Sequence, residues 1–210
     1  GGAPSLLERY RAAGGTKPYV LTEFGPIGSW EAGKTPWGAP IEPTSTEKAG
    51  FYRHAYEKAV AGAPDLALGG YAFNWGFKME GTATWFGMFL DDGARLGAID
   101  AMTEAWSGAP PRDRAPTVAP LVLAGDAEVA PGARVRVTAG IEDPEGGPVR
   151  ARWALRQESG EYLTGGDFRA GLPDIEGAVL EGGVDGADVR MPQDPGAYRL
   201  FLYAYDEAGN

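Results

Sequence analysis

Lys17-Pro18-Tyr19-Val20-Leu21-Thr22-Glu23-Phe24-Gly25 is the stretch on which the interpretation of the first half of the chain depends. Its short apolar run from Tyr19 to Phe24 predicts a buried β-strand. An ionised carboxylate near the end of such a strand is costly to bury without a partner, so Glu23 is a candidate catalytic residue. The alternative from position alone is a glutamate that only caps a loop amide.

Helical and strand patterns alternate on both sides of this strand. We predict helices over Pro4–Ala13, from Ser45-Thr46-Glu47 to near Gly62, and over Leu96–Trp106, with a second strand over Leu66–Trp75. Long loops follow both strands, over Gly25–Pro43 and Gly76–Arg95. Helix and strand alternation with long loops after the strands is typical of α/β proteins.

The second half of the chain has a different pattern. A proline-rich segment after Gly108 indicates a linker, and beyond it we predict strands over 134–139, 149–155 and 198–205. Trp153 and Tyr198 occupy positions typical of the core tryptophan and corner tyrosine of immunoglobulin-like β-sandwiches. We therefore place one domain over residues 1–108, a linker over 109–116 and a β-sandwich accessory domain over 117–210.

Composition excludes several functions. The net charge of -10, from 19 Lys and Arg against 29 Asp and Glu, provides no basic surface for nucleic acid. The chain has no cysteine, and His54 is its one histidine, so we expect neither a metal site nor a cofactor. No apolar run of about 18 residues predicts a membrane span. The first residue is not Met and the last residues form an unpaired strand pattern, so we expect a piece of a longer protein.

The strand that ends at Glu23 is followed about fifty residues later by Gly70-Tyr71-Ala72-Phe73-Asn74-Trp75-Gly76. The two motifs in this order resemble strands seven and eight of the clan A glycoside hydrolases, especially barrels of the family 2-like and cellulase-like kinds. The resemblance implies an α/β plus all-β fold class. In that fold the C-terminal portion of a (β/α)8 barrel would precede an Ig-like β-sandwich truncated at its last strand.

The resemblance also implies roles for individual residues. Glu23 would be the nucleophile of a retaining glycoside hydrolase and Trp75 the floor of its sugar site, with a cis peptide bond between Asn74 and Trp75. The acid/base of these families is a glutamate preceded by asparagine, a pair that this sequence does not contain. We expect that residue upstream of Gly1, so that the 210 residues alone are inactive. The nearby substitutes in the second loop are Glu80, Asp91 and Asp92, against the simpler interpretation that these are solvated loop acids.

Aromatic side chains in the two loops predict an oligosaccharide or polysaccharide substrate, since their faces stack on pyranose rings. The predicted substrate-binding residues are Trp75, Trp85, Trp30, Trp37, Asn74 and Glu80. The alternative is that such rings pack the loops, which we expect for Phe86 and Phe89. A polysaccharide substrate favours a secreted or periplasmic bacterial protein. The rival function is a non-catalytic carbohydrate-binding or adhesion protein that uses the aromatic loops and the Ig-like module.

Overall fold

The computed structural model describes residues 2–162 and 169–210. Three short α-helices lie within them: α1 Leu6–Ala12, α2 Ser45–Tyr56 and α3 Gly97–Ser107. The 3₁₀ turn Ala3–Ser5 precedes α1, and the π-helical segment Glu57–Ala61 continues α2. None of the helices in these residues combines the length and the apolar character that crossing a membrane requires.

Ten strands are assigned within the same residues. They are β1 Tyr19–Phe24, β2 Ala67–Ala72, β3 Thr117–Val118, β4 Val122–Leu123, β5 Arg134–Thr138, β6 Ile141–Glu142, β7 Arg150–Gln157, β8 Val179–Gly183, β9 Gly186–Arg190 and β10 Tyr198–Tyr205. The predicted positions of the helices and of the strands β1, β2, β5, β7 and β10 are confirmed to within a few residues.

A reciprocal cap determines where α2 begins. The Oγ1 atom of Thr44 accepts a hydrogen bond from the backbone N–H of Glu47 at 3.2 Å, and the Glu47 carboxylate accepts one from the N–H of Thr44 at 2.7 Å. Two N–H groups that the helix leaves unpaired are satisfied in this way. The capping residue is therefore Thr44, one position before the predicted Ser45-Thr46-Glu47 group.

The strands are divided among four small sheets. β1 and β2 form a two-stranded parallel sheet, in which Tyr19 is paired with Ala67 and Phe24 with Ala72. All other pairs in the described residues are antiparallel: β7 with β10, β3 with β6, and a four-stranded sheet in the order β4-β5-β9-β8. The parallel pair and its connecting helix α2 form the one βαβ unit in this part of the chain.

The predicted fold class is wrong. A portion of a (β/α)8 barrel followed by one Ig-like β-sandwich would give extended parallel and antiparallel layers, whereas most strands here belong to small antiparallel sheets and the helices are few and short. The physical reason is that a helix-strand pattern is local. It specifies a βαβ unit, but it does not specify how many further strands join that unit.

Separate hydrophobic clusters stabilise the two halves. Phe24 and the inner faces of α2 and α3 form the first, around Tyr52 and Met102. The second lies between the four-stranded sheet and the β7–β10 pair and is centred on Trp153 and Val189. Burial of apolar area of this kind is the main favourable term in folding.

Contacts also join the residues before and after the predicted linker. Leu90 and Ala94 pack in one cluster with Tyr203 and Tyr205 of β10. The hydroxyl of Tyr205 donates to the carboxylate of Asp92 at 3.0 Å. The two halves therefore share buried surface, and the division at 109–116 stays a prediction.

Candidate functional site

Glu23 lies near the carboxyl end of β1, beside the carboxyl end of β2. The N–H of Phe73 continues the pairing beyond β2 by donating to the carbonyl of Phe24 at 2.7 Å. Phe24 is buried against α2, whereas Glu23, one position earlier, is exposed. Tyr71 comes just before Ala72, the partner of Phe24, and its ring is also exposed.

Trp75 lies at the same sheet edge, just after β2. Its side chain is 66% exposed. The ring makes an edge-to-face contact with Phe89, with centroids 5.1 Å apart and planes at 74°. Such aromatic pairs contribute about 0.5–1.5 kcal/mol beyond the area they bury, so the contact helps to fix an indole that still presents most of its surface to solvent. We call Glu23, Tyr71, Asn74 and Trp75 the edge site.

A tight pairing of two loop segments supports the edge site. The N–H of Asn74 donates to the carbonyl of Phe86 at 2.9 Å, and the N–H of Met88 donates to the carbonyl of Asn74 at 3.1 Å. Gly87 allows this approach, because a Cβ atom there would lie 3.1 Å from the carbonyl oxygen of Gly76 on the other segment. After Trp75, the N–H of Phe89 donates to the carbonyl of Gly76 at 3.4 Å, so hydrogen bonds hold the backbone on both sides of Trp75.

The prediction of a cis peptide bond between Asn74 and Trp75 is wrong. Within the described residues the cis bond joins Phe73 to Asn74, one bond earlier.

Gly25 completes the end of β1. A Cβ atom at this position would lie 2.5 Å from the carbonyl oxygen of Phe73 and 3.4 Å from the hydroxyl of Tyr52. The first distance is too short for a side chain, whereas the second is an ordinary van der Waals contact. The glycine in Glu23-Phe24-Gly25 is therefore required because the segment after β2 packs directly on its Cα atom.

Two further predicted site residues, Trp30 and Trp37, have exposed rings in the loop after β1. Trp30 lies 6.4 Å from Phe86 between ring centroids, with the planes at 36°. That contact connects Trp30 to the segment that supports Trp75. Trp37 instead borders a cleft farther along the loop, and no contact among the described residues joins it to Glu23 or Trp75. The edge site thus contains Trp75, and Trp30 contacts the loop segment that supports it.

Two other predicted site residues are corrected by their burial. Trp85 is fully enclosed, at 0% exposed, and its indole N–H donates to the carbonyl of Ile27 at 2.8 Å. It has no free face for a sugar, and it packs the two loops together. Glu80 is 3% exposed and accepts a hydrogen bond from the ammonium group of Lys78 at 2.6 Å, so it is neither an accessible substrate ligand nor a solvated acid. The predicted packing role of Phe86 is confirmed by its burial.

A buried polar network, which the sequence did not predict, connects both loops to α2. The ammonium group of Lys48 donates to the carboxylate of Glu42 at 2.5 Å and to the carbonyl of Thr84 at 2.7 Å. The hydroxyls of Thr82 and Thr84 donate to the same carboxylate at 2.5 and 2.8 Å. Burial acts to raise the pKa of Glu42, but the charge of Lys48 and these hydrogen bonds outweigh it, so the pKa lies below its ordinary value.

A cleft of about 740 Å³ lies between α2, the 115–121 segment and β10. Its walls are mainly apolar, from residues such as Phe51, Leu121 and Leu202. The charged pair Glu42 and Lys48 lines it but is satisfied internally. The cleft therefore offers few free polar groups to a ligand, in contrast to the edge site.

Tyr71 is the edge-site residue that sequence reasoning did not assign, although it lies in the predicted Gly70-Tyr71-Ala72-Phe73-Asn74-Trp75-Gly76 motif.

No group of three or more metal-ligating side chains is arranged for a metal ion in the described part of the chain. No protein-family model matches the sequence, and no curated protein matches it.

Proposed function

We propose that this chain supplies the nucleophile and part of the sugar-binding surface of a retaining glycoside hydrolase that acts on β-linked glycans. Glu23 is the nucleophile and Trp75 the sugar platform. The observation that carries the proposal is the placement of an exposed carboxylate and an exposed, braced indole at the same edge of a parallel sheet.

The chemistry requires a carboxylate that is free to attack. Glu23 is exposed, and no hydrogen bond or ion pair engages its side chain among the described residues, so its carboxylate is accessible to a ligand. In the first step a Glu23 oxygen forms a bond to the anomeric carbon while the glycosidic C–O bond breaks and the leaving oxygen takes a proton from an acid. Water then hydrolyses the glycosyl ester and restores the carboxylate.

The acid/base is the second carboxyl group that a retaining mechanism needs, about 5–5.5 Å from the nucleophile. The resemblance assigns this role to a glutamate after an asparagine, and residues 1–210 contain no such pair. Glu80 is buried on Lys78 and does not replace it. The proposal therefore assigns the acid/base to sequence outside these residues.

Substrate contact follows from the shape of the edge site. The indole of Trp75 offers a flat apolar surface to the C–H groups of a pyranose ring. The amide of Asn74 and the hydroxyl of Tyr71 add polar groups that can bind sugar hydroxyls. Polysaccharides are too large to enter a cell, so the proposal includes a secreted or periplasmic location for the protein.

The test is turnover by the natural polypeptide that carries these residues, on a panel of β-glucans and aryl β-glycosides. Glu23→Gln keeps the shape of the side chain but cannot attack, so we expect kcat to fall by at least about 10³-fold. The matched control is Glu8→Gln, an exposed glutamate on α1, which should keep wild-type kcat. Equal turnover by the wild type and Glu23→Gln would refute the assignment.

A non-catalytic glycan-binding protein is the second candidate. The observation that favours it is the exposure of several indoles together with a carboxylate that no described residue orients. This candidate predicts glycan binding without turnover in the wild type. It also predicts that Trp75→Ala abolishes binding, while Trp106→Ala, which removes an exposed tryptophan on α3, does not.

A further inference from the structure

Tyr52 lies on α2 at the centre of the contacts beneath the edge site. It is 1% exposed and packs edge-to-face on Phe24 of β1, with ring centroids 6.5 Å apart. Its hydroxyl donates to the carbonyl of Phe73 and lies 3.1 Å from the carbonyl of Phe86. A tyrosine hydroxyl has one proton, so the two carbonyls share a single donor.

The two carbonyls belong to the segments that carry Trp75. The carbonyl of Phe73 is in the peptide group that precedes Asn74, and the carbonyl of Phe86 also accepts the N–H of Asn74 at 2.9 Å. On its other side the Phe73 carbonyl touches Gly25, where a Cβ atom would lie at 2.5 Å. The Phe73 carbonyl is thus held between the end of β1 and the Tyr52 hydroxyl.

The hydroxyl keeps its proton at all ordinary pH values. Burial raises the pKa of Tyr52, so the group stays a neutral donor. A carbonyl inside the protein that loses its donor raises the free energy of the folded state. The hydrogen bond from Tyr52 therefore favours one position of the backbone after β2.

We propose that Tyr52 is a positioning residue, whose hydroxyl fixes the backbone after β2 and thereby the orientation of Trp75 relative to Glu23. This role rests on the proposed function, because it concerns the sugar platform of that site. Tyr52 itself does not contact substrate. It acts through the Phe73 carbonyl and the loop segment around Phe86.

The test compares Tyr52→Phe with Tyr19→Phe. Tyr19 is a matched control, since its hydroxyl also donates to a backbone carbonyl, that of Ala59 at 2.6 Å, but at the opposite end of β1. Each variant removes one oxygen and one hydrogen bond, so a general loss of stability should lower Tm in both. Only Tyr52→Phe should change the packing around the Trp75 side chain.

The first readout does not depend on any sugar. With 5-fluorotryptophan incorporated, the ¹⁹F resonance of Trp75, assigned by Trp75→Phe, should shift or broaden in Tyr52→Phe and stay unchanged in Tyr19→Phe. The second readout is kinetic. Tyr52→Phe should raise KM on the order of tenfold while kcat stays within about twofold, as for a lost binding surface.

An unchanged Trp75 resonance in Tyr52→Phe overturns the proposal, and so does an equal change in both variants. A fall in kcat with unchanged KM also overturns it. Failure of the proposed function is seen separately, as absence of turnover in the wild type. The fluorine measurement on the two variants is independent of that result.

Discussion

Lys48→Met tests whether the buried network braces the two loops. The side chains of Lys48 and Glu42 are 7% and 11% exposed, and the ammonium group is the only cation hydrogen-bonded to this carboxylate among the described residues. Methionine keeps the length of the side chain but removes the charge and the donor. Glu42 then stays buried with only the hydroxyls of Thr82 and Thr84 as donors.

Removing one partner of a buried ion pair costs about 3–5 kcal/mol, because the remaining charge is uncompensated. For a chain of this size we expect Tm to fall on the order of 10 °C.

The loss of stability depends on pH. In the wild type the pKa of Glu42 lies below its ordinary value of 4.5, so its stabilising contribution is complete above pH 4.5 and is lost as pH falls through the lowered pKa.

In Lys48→Met burial acts without the opposing charge and raises the pKa of Glu42 above its unfolded value. The penalty is then absent below the unfolded pKa and grows as pH rises. The difference in unfolding free energy between variant and wild type should therefore be largest near pH 7 and shrink towards pH 4.

The assay is urea unfolding of the wild type and variants at pH 7 and pH 4. Lys58→Met, at an exposed lysine of the π-helical segment, is the control and should change stability by less than about 0.5 kcal/mol. The double variant Glu42→Gln with Lys48→Met should recover much of the loss, since no buried charge remains. A loss in Lys48→Met equal to that in Lys58→Met, or one that does not shrink towards pH 4, would show that the buried pair does not brace the two loops.

Two further predictions concern the elements that hold the edge site. Gly25→Ala should destabilise the protein by about 1–3 kcal/mol, because its Cβ atom would lie 2.5 Å from the carbonyl oxygen of Phe73. Gly50→Ala, on the exposed face of α2 with nothing within 4 Å of the new Cβ, should instead stabilise it by up to about 1 kcal/mol. Urea unfolding measures both, and equal signs would contradict the steric argument. Thr44→Ala should cost about 1 kcal/mol by removing the cap of α2, whereas Thr44→Ser should keep most of it, and the same loss in both would show that the cap is not the cause.

Local structure could be predicted from the sequence because its signals are local. The apolar run at Tyr19–Phe24 gave the position of β1, and the alternation at 198–205 gave that of β10. The arrangement of the strands could not be predicted in the same way. The βαβ pattern around α2 is compatible with sheets of many sizes, and the choice of a barrel was wrong for that reason.

Within the candidate site, strand position predicted that Glu23 and Trp75 would share an edge, and parallel pairing explains why. The burial of Trp85 could not be predicted, since an aromatic residue in a loop serves equally well to pack the loop or to face a ligand. The network of Glu42 and Lys48 depends on Thr82 and Thr84, about forty residues away, and no periodic pattern marks such a contact. The position of the cis bond was missed by one residue.

A covalent glycosyl intermediate on Glu23 is the defining product of its proposed role as nucleophile. A 2-deoxy-2-fluoro β-glycoside with a dinitrophenolate leaving group needs no acid to depart, so it reports on the nucleophile even where protonation is slow. Mass spectrometry of the tryptic peptide that contains Glu23, from the natural polypeptide treated with this reagent, measures the adduct. We expect one glycosyl group esterified to Glu23 and none in Glu23→Gln. A labelled carboxylate elsewhere, or no label on a protein that turns over β-glycosides, would show that Glu23 is not the nucleophile.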